Sequence, residues 1–337
     1  MAPTLPPGCD PSLGRGVPPP ATPPGGDGDR AVPSTLGGPG WQPRVTTLAE
    51  ERGWTWAEVG VASEVAPLRA VALAVPGPEF DALDDPAAWL MDARPDPARL
   101  RAEHEALAAA YTREGITVHR VRPAPPPPPN FLFQRDPWWM TPEGAVVGRM
   151  AARQRAGEEA HAARFLADAG VPILLTIRGG GTFEGADALW LDERTVLLGV
   201  GRRTNAEGAA QLTALLATMG VTVRPVPLAA CVQHLLGAVN LLDADLAAVR
   251  TDALTPELRA ALGGRTLLEL APDAEVKDRR AMNFVTLRSR RVLMPTGCPA
   301  TRARLEAHGV ACVEAEVGAY VDAAGGMGCA TGILRRG

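Results

Sequence analysis

Short apolar runs alternate with longer amphipathic stretches from about Arg69 onward. A short apolar run bounded by turn residues reads as a strand. Apolar residues recurring about every three or four positions, such as Leu212, Leu215 and Leu216, form one buried helix face. Five units of strand, loop, helix and second strand follow one another. The first has Val71–Val75, a helix around Asp96 to Arg113, and Ile116–Val121. The second has Ala145–Met150, a helix around Glu158 to Ala169, and Val171–Leu175. The third has Val196–Val200, a helix around Ala206 to Met219, and Val221–Val226. The fourth has Leu246–Arg250, a helix opened by Thr255-Pro256-Glu257, and Thr266–Leu270. The fifth has Val292–Pro295, a helix around Ala300 to His308, and Val310–Ala315. Gly115, Gly170, Gly220, Gly263 and Gly309 fall where a helix should stop, because glycine takes the left-handed cap without a Cβ clash. Thr255-Pro256 is an N-cap followed by Pro at the first helical position.

A β-α-β succession alone would indicate a doubly wound sheet. The segments after each unit indicate something else. They are Asn130-Phe131-Leu132-Phe133-Gln134-Arg135-Asp136, Thr182-Phe183-Glu184-Gly185-Ala186-Asp187, Val232-Gln233-His234-Leu235, Met282-Asn283-Phe284-Val285 and Gly325-Gly326-Met327-Gly328-Cys329. Each carries a polar residue in apolar surroundings. Five units about one axis would gather these residues at its centre, so the expected fold is α/β, a five-fold pseudosymmetric propeller of β-α-β units.

Residues 1–45 are nearly half Pro and Gly and cannot bury enough apolar surface to offset their ordering entropy. They are expected to be a disordered tail, or an over-extended start of translation. Residues 46–337 are expected to be a single catalytic domain. Over the whole chain 46% of residues are apolar and 21% charged, with a formal net charge of −4. That balance gives no electrostatic reason for a nucleic-acid or anionic-membrane partner. No apolar run approaches a membrane span, and the N-terminus lacks the pattern of a secretory signal. The five cysteines, Cys9, Cys231, Cys298, Cys312 and Cys329, are widely spaced and form no disulfide framework or CxxC pair. A reducing cytoplasm is the default.

Taken one by one, the polar residues have ordinary readings. Glu184 could belong to a solvated turn. Arg135-Asp136 could be an ion pair beside a Trp138-Trp139 core anchor. His234 could be a satisfied core histidine. Cys231, Cys298 and Cys312 fit small buried hydrophobes. Arg178-Gly179-Gly180-Gly181 lacks the lysine and spacing of a phosphate cradle. Recurrence after each unit is what singles out Cys329, His234 and Glu184, a nucleophile, a proton shuttle and its electrostatic partner.

The motifs Asn130…Arg135-Asp136, Glu184-Gly185-Ala186-Asp187, Arg203-Thr204-Asn205, His234-Leu235, Asn283 and Gly325-Gly326…Cys329, in this order, resemble the arginine deiminase, dimethylargininase and amidinotransferase superfamily. The resemblance runs over roughly Arg69 to Arg336. It implies a pentein-like propeller with Cys329 as nucleophile and His234 as general acid/base. Glu184 would hold a guanidinium and support His234. Asp136 would accept guanidinium N–H groups, with Asp187 as a further acceptor. Asn130, Arg149 and Arg203 would bind the substrate's α-carboxylate or line its pocket, and Asn283 would complete the substrate site. The implied activity is hydrolysis of a C–N bond of L-arginine or an Nω-methylated arginine, through a Cys thiouronium, to citrulline plus ammonia or amine. No metal or organic cofactor is required.

Two departures qualify this. Arginine deiminases usually carry an acid two residues after the catalytic His, where this chain has Leu236, as dimethylargininase-like members also lack it. Amidinotransferases tend to have Asp where this chain has Glu184. Amidino transfer and a non-catalytic role are the alternatives. The partner is a small guanidino compound, and an exposed edge could support a homodimer.

Overall fold

The computed structural model describes residues 33–337. The expectation of a disordered tail therefore lies outside the described residues for 1–32. Residues 33–45 contain a 3-10 turn at Ser34–Leu36 and further turns at Gly37 and Pro39-Gly40, and are largely exposed.

The chain builds five three-stranded sheets of one design. In each, a central strand pairs antiparallel with one neighbour and parallel with the other. The parallel pair is joined through a helix, as a parallel crossover requires. The first sheet holds β1 (Leu68–Ala74) and β2 (Thr117–Val121), connected by α1 (Pro97–Arg113). The second holds β3 (Trp138–Met140), β4 (Ala145–Val147) and β5 (Ile173–Thr176), with α2 (Glu158–Asp168). The third holds β6 (Ala188–Asp192), β7 (Thr195–Val200) and β8 (Thr222–Pro227), with α3 (Ala206–Thr218). The fourth holds β9 (Val239–Leu241), β10 (Leu246–Arg250) and β11 (Thr266–Leu270), with α4 (Pro256–Ala261). A short α5 (Ala274–Asp278) leads to the fifth, with β12 (Val285–Arg288), β13 (Arg291–Pro295), α6 (Pro299–Ala307) and β14 (Ala311–Ala315). After α7 (Gly318–Asp322) and α8 (Met327–Ala330), β15 (Gly332–Arg336) returns to pair antiparallel with β1.

The expected strands and helices lie within three residues of those observed: β1 starts at Leu68 where Val71 was expected, and β4 stops at Val147 where Met150 was expected. The capping chemistry is as the sequence indicates. Asp96 and Thr255 side chains accept the Arg99 and Leu258 backbone N–H groups at 2.7 and 3.1 Å. The units are nevertheless incomplete as expected from sequence. Each sheet has a third, antiparallel strand directly after the polar segment. Two of these, β3 and β9, are only three residues long. A run that short shows no period, and both of its faces are buried, so nothing alternates.

The five polar segments join one another in a ring of hydrogen bonds. Gly185 N–H donates to Asp136 O at 2.7 Å, and Leu235 N–H to Asp187 Oδ1 at 2.9 Å. Asn240 of β9 donates to Met282 O at 2.9 Å. Gly328 N–H donates to Asn283 O at 3.1 Å, and Arg135 N–H to Cys329 O at 2.9 Å. Around this ring the core falls into three apolar clusters, one of them anchored by Trp138, Tyr111, Tyr320 and a stacked Trp139–Trp190 pair 5.2 Å apart.

Candidate active site

Each polar segment joins the last strand of one sheet to the first strand of the next. Glu184 and His234 occupy the same place in successive segments. Both have extended backbone immediately before a 3-10 turn, Gly185–Asp187 and Leu235–Gly237 respectively. An extended residue at a turn entrance points its side chain away from the turn, and here both reach the interior of the ring. Gly185 is required by close approach, because a Cβ there would sit 2.6 Å from the Arg135 carbonyl oxygen.

His234 Nε2 and Glu184 Oε2 are 2.6 Å apart, and His234 Nδ1 faces Asp136 Oδ1 at 3.9 Å. All three residues are buried. Burial disfavours a charged ring, but Asp136, Glu184 and Asp187 outweigh it and raise the His234 pKa well above its ordinary value. Burial also works against ionisation of Glu184. The bond to His234, with Arg155 and Arg203 nearby, overcomes this and holds the carboxyl well below the usual range. Both shifts run in the direction of a protonated ring bonded to an ionised carboxylate.

Cys329 lies in α8. Its Sγ accepts from Asn283 Nδ2 at 3.0 Å, and its N–H donates to Asn283 Oδ1 at 3.1 Å. The glycines before it are there for space. A Cβ on Gly326 would stand 2.7 Å from Asn283 Oδ1, so only glycine lets this segment close on Asn283. Burial, and then the Asp136 charge, push the Cys329 thiol pKa up. Cys329, Asn283 and His234 line one cavity of about 290 Å³. Leu236 and Met282 give it an apolar wall.

The sequence reading missed Arg155. This buried guanidinium donates from Nη1 to Asp136 Oδ2 at 2.7 Å and to Glu184 Oε2 at 3.5 Å. Its Nε and Nη2 grip Glu158 bidentately at 2.9 and 2.8 Å. The available signal was Arg155 three residues before Glu158 at the start of α2, a spacing that pairs charges on one helical turn. Asp136 therefore pairs with Arg155, and not with Arg135, which pairs with Glu64 at 3.3 Å. Asp136 Oδ1 is buried and makes no hydrogen bond, with His234 Nδ1 at 3.9 Å.

Five of the expected substrate-binding residues, Asp136, Asp187, Asn130, Arg149 and Arg203, are not on the cavity wall, and Asn283 is. Asp187 has both oxygens committed, to Leu235 N–H at 2.9 Å and to the Thr204 hydroxyl at 2.7 Å. It fastens the turn after His234. Burial raises its pKa to about 6. Arg203 reaches Glu184 Oε1 at 3.3 Å, and Arg149 donates to Gly181 O at 3.1 Å. Asn130 is buried, with Oδ1 unpartnered. Cys298 is buried as expected. Cys231 is exposed, because it sits on the loop at the cavity mouth.

Asp136, Glu184 and His234 place ligand-type atoms within 4.8 Å of one another. Most of those atoms are already used by Arg155, Arg203 and the His234–Glu184 bond. One free carboxylate oxygen, Asp136 Oδ1, suits an N–H donor, whereas a metal ion takes several donors at once.

The Arginine deiminase family model matches residues 124–283. An uncharacterized protein of Aeropyrum pernix is 32% identical over 187 residues, 55% of this chain and 65% of its own length. The chain therefore spans about two thirds of that relative. The N(G),N(G)-dimethylarginine dimethylaminohydrolase of Pseudomonas aeruginosa is 27% identical over 240 residues, 70% of this chain and 89% of that protein. A crystal structure of a dimethylarginine dimethylaminohydrolase adduct with S-methyl-L-thiocitrulline superposes with a TM-score of 0.65 at 23% identity, covering 80% of this chain and 100% of the other. An amidinotransferase from the saxitoxin biosynthetic pathway of Microseira wollei gives 0.68 at 16% identity, covering 82% and 97%. These two structures share the α/β fold. Residues 124–283 thus match arginine deiminases, and the chain is similar to dimethylargininases in sequence and to dimethylargininases and amidinotransferases in fold.

Proposed function

We propose that the protein hydrolyses a C–N bond of a guanidino amino acid, L-arginine or an Nω-methylated arginine, giving citrulline and ammonia or an amine. The reading rests on one observation: Cys329 and His234 share a cavity wall, with His234 clamped to Glu184 at 2.6 Å. The ring of bonded segments supports a five-fold propeller with the site at its centre, and residues 46–337 as the catalytic domain.

In this reading Asp136 Oδ1 accepts a guanidinium N–H and fixes the substrate. The arriving positive charge favours loss of the Cys329 thiol proton to solvent, overcoming the cost that burial and Asp136 impose. The Cys329 sulfur then forms a bond to the guanidinium carbon. His234 gives its proton to the leaving nitrogen, the C–N bond breaks, and ammonia or an amine departs. Water adds to the thiouronium carbon and returns a proton to His234. The C–S bond breaks, the remaining hydroxyl proton passes to solvent as the ureido C=O forms, and the Cys329 thiolate is reprotonated from solvent as the product leaves. Asn283 holds the sulfur in line, and Glu184 keeps the imidazole oriented. The apolar Leu236 wall has room for N-methyl groups where an acid would bind an unsubstituted nitrogen.

The test is incubation of the full chain with L-arginine and with asymmetric dimethylarginine, reading citrulline, ornithine, ammonia and dimethylamine. Citrulline that vanishes in Cys329→Ala is the expected result. Product only when an acceptor amine is added would replace hydrolysis with amidino transfer. A folded protein giving neither would end both readings.

A further inference from the structure

A strap of chain, residues 57–67, is tied down before β1 begins. Ala57 N–H donates to Gly170 O at 2.9 Å, Gly60 N–H to Leu334 O at 3.0 Å and Val61 N–H to Thr141 O at 3.1 Å. The Arg336 and Gly337 N–H groups donate back to Gly60 O and Pro67 O at 3.1 and 2.8 Å. Gly60 has φ +137°, and a Cβ there would stand 2.8 Å from Pro142 O, so only glycine allows this approach. Ser63 Oγ accepts the Val65 and Ala66 N–H groups, both at 3.1 Å. Glu64 lies within that turn, is 7% exposed and lines the cavity. The strap precedes Arg69, where the family resemblance begins, so the resemblance assigns none of its residues.

Among the described residues on the cavity wall, Glu64 is the one carboxylate, against Arg135, Arg250, Arg280 and Arg336. Asp252 and Asp92, both off the wall, pair with Arg250 and Arg280. Arg135 and Arg336 have Glu64. Arg135 Nη2 meets both Glu64 oxygens at 3.3 Å, and Trp190 N–H of β6 donates to Oε1 at 3.4 Å. Arg336 of β15 donates to Ala66 O, two residues along the strap, at 2.9 Å. Burial pulls the Arg336 pKa down to about 10; the Glu64 charge opposes that fall and the Arg135 charge adds to it. Three charges thus act on one another in a buried place, and without Glu64 two cations would face each other unneutralised.

Arg135 is also where the ring of polar segments closes. Its backbone N–H donates to Cys329 O at 2.9 Å and joins the first segment to the last, and Asp136 is its neighbour in the chain. We propose that Glu64 is a positioning residue for Cys329: from the strap it anchors the Arg135 side chain, and the Arg135 backbone holds the segment that presents the thiol. The proposal rests on the reading of Cys329 as nucleophile. Glu64 touches neither substrate nor sulfur and acts through Arg135.

The test uses the full chain carrying Glu64→Gln, which keeps the shape of the side chain and removes its charge. Arg135→Met, the double variant and Glu58→Gln accompany it. Glu58 is the surface control, on the same strap and paired with Arg335 at 2.5 Å. In Glu64→Gln, kcat should fall about 100-fold with KM little changed, as when a reacting group is displaced by about 1 Å. The second readout is the pH dependence of Cys329 alkylation by iodoacetamide, with Cys329→Ala subtracting the other thiols. Its midpoint should fall by about one pH unit, because the wall loses its one negative charge. The double variant should be no slower than Arg135→Met alone, since the two residues act in one chain of contacts. A lower urea midpoint in Glu64→Gln with wild-type kcat and alkylation would make Glu64 a packing residue and overturn the proposal. Additive losses in the double variant, or an equal loss in Glu58→Gln, would overturn it too. The expected alkylation shift in a protein whose wild type forms no product would overturn the hydrolase reading alone.

Discussion

Arg155 is fully buried with the carboxylates of Asp136, Glu158 and Glu184 around it. A buried ion pair adds little net stability against an apolar replacement, but removing one member strands the others. Arg155→Met should therefore destabilise the fold by about 3–5 kcal/mol in urea unfolding, through unneutralised Glu158 and Asp136. Burial already raises the Glu158 pKa to about 7 with Arg155 in place, so this carboxyl depends on its partner. Adding Glu158→Leu should recover part of the loss. A single variant as stable as wild type would show that the network does not hold the site. Cys329, His234 and Glu184 could be singled out in the chain as unusual types in recurrent positions, and the fold brings His234 to Glu184 and puts Cys329 and His234 on one cavity wall. Arg155 was hidden in Arg153-Gln154-Arg155, which looks like an exposed basic turn until the fold buries it.

At the scale of elements, the site is held by strand ends and helix starts. Asn205 is the N-cap of α3. Its Oδ1 accepts from Gly208 N–H at 2.9 Å and from Thr182 N–H at 3.0 Å, while Nδ2 donates to Gly180 O at 2.9 Å. One side chain thus caps the start of the helix and holds the loop leading to Glu184. The adjacent Arg203 and Thr204 contact Glu184 directly, Thr204 through the Glu184 N–H at 3.3 Å. Asn205→Ala should cost about 1–2 kcal/mol of stability, as lost caps do, and should lower kcat as well because Glu184 loses its support. Asn205→Asp keeps the acceptor and should recover most of the stability. Loss of stability with full kcat would separate the cap from the site. The helix starts and glycine stops could be read from the chain because caps are local chemistry. The third strand of each sheet could not, because its pairing partner lies outside its own few residues.

Across the whole molecule, the last strand closes on the first. Between them, β15 and β1 bury nearly all their residues, and Gly332 must be glycine because a Cβ would run into the Trp138 ring. Removing residues 332–337 should leave β1 an open edge and abolish cooperative unfolding, read by near-ultraviolet circular dichroism and gel filtration. A truncated chain that still folds would place the closing contact elsewhere, in the ring of segments. Among the described residues no helix is long and apolar enough to cross a membrane.

The amino-acid sequence by itself determined the repeat, the helix boundaries, the five polar segments and the residue types able to do the chemistry. These follow from apolar period, capping and turn preferences, which act over a few neighbours. Only the tertiary structure decided which partner each charge takes. Asp136 turned from Arg135 to Arg155, and Asp187 became a fastener for the His234 turn. Arg280 came to line the cavity that Cys329 also lines. Buried charges are paired by distance across the fold, between segments far apart in the chain, and no local pattern encodes that choice.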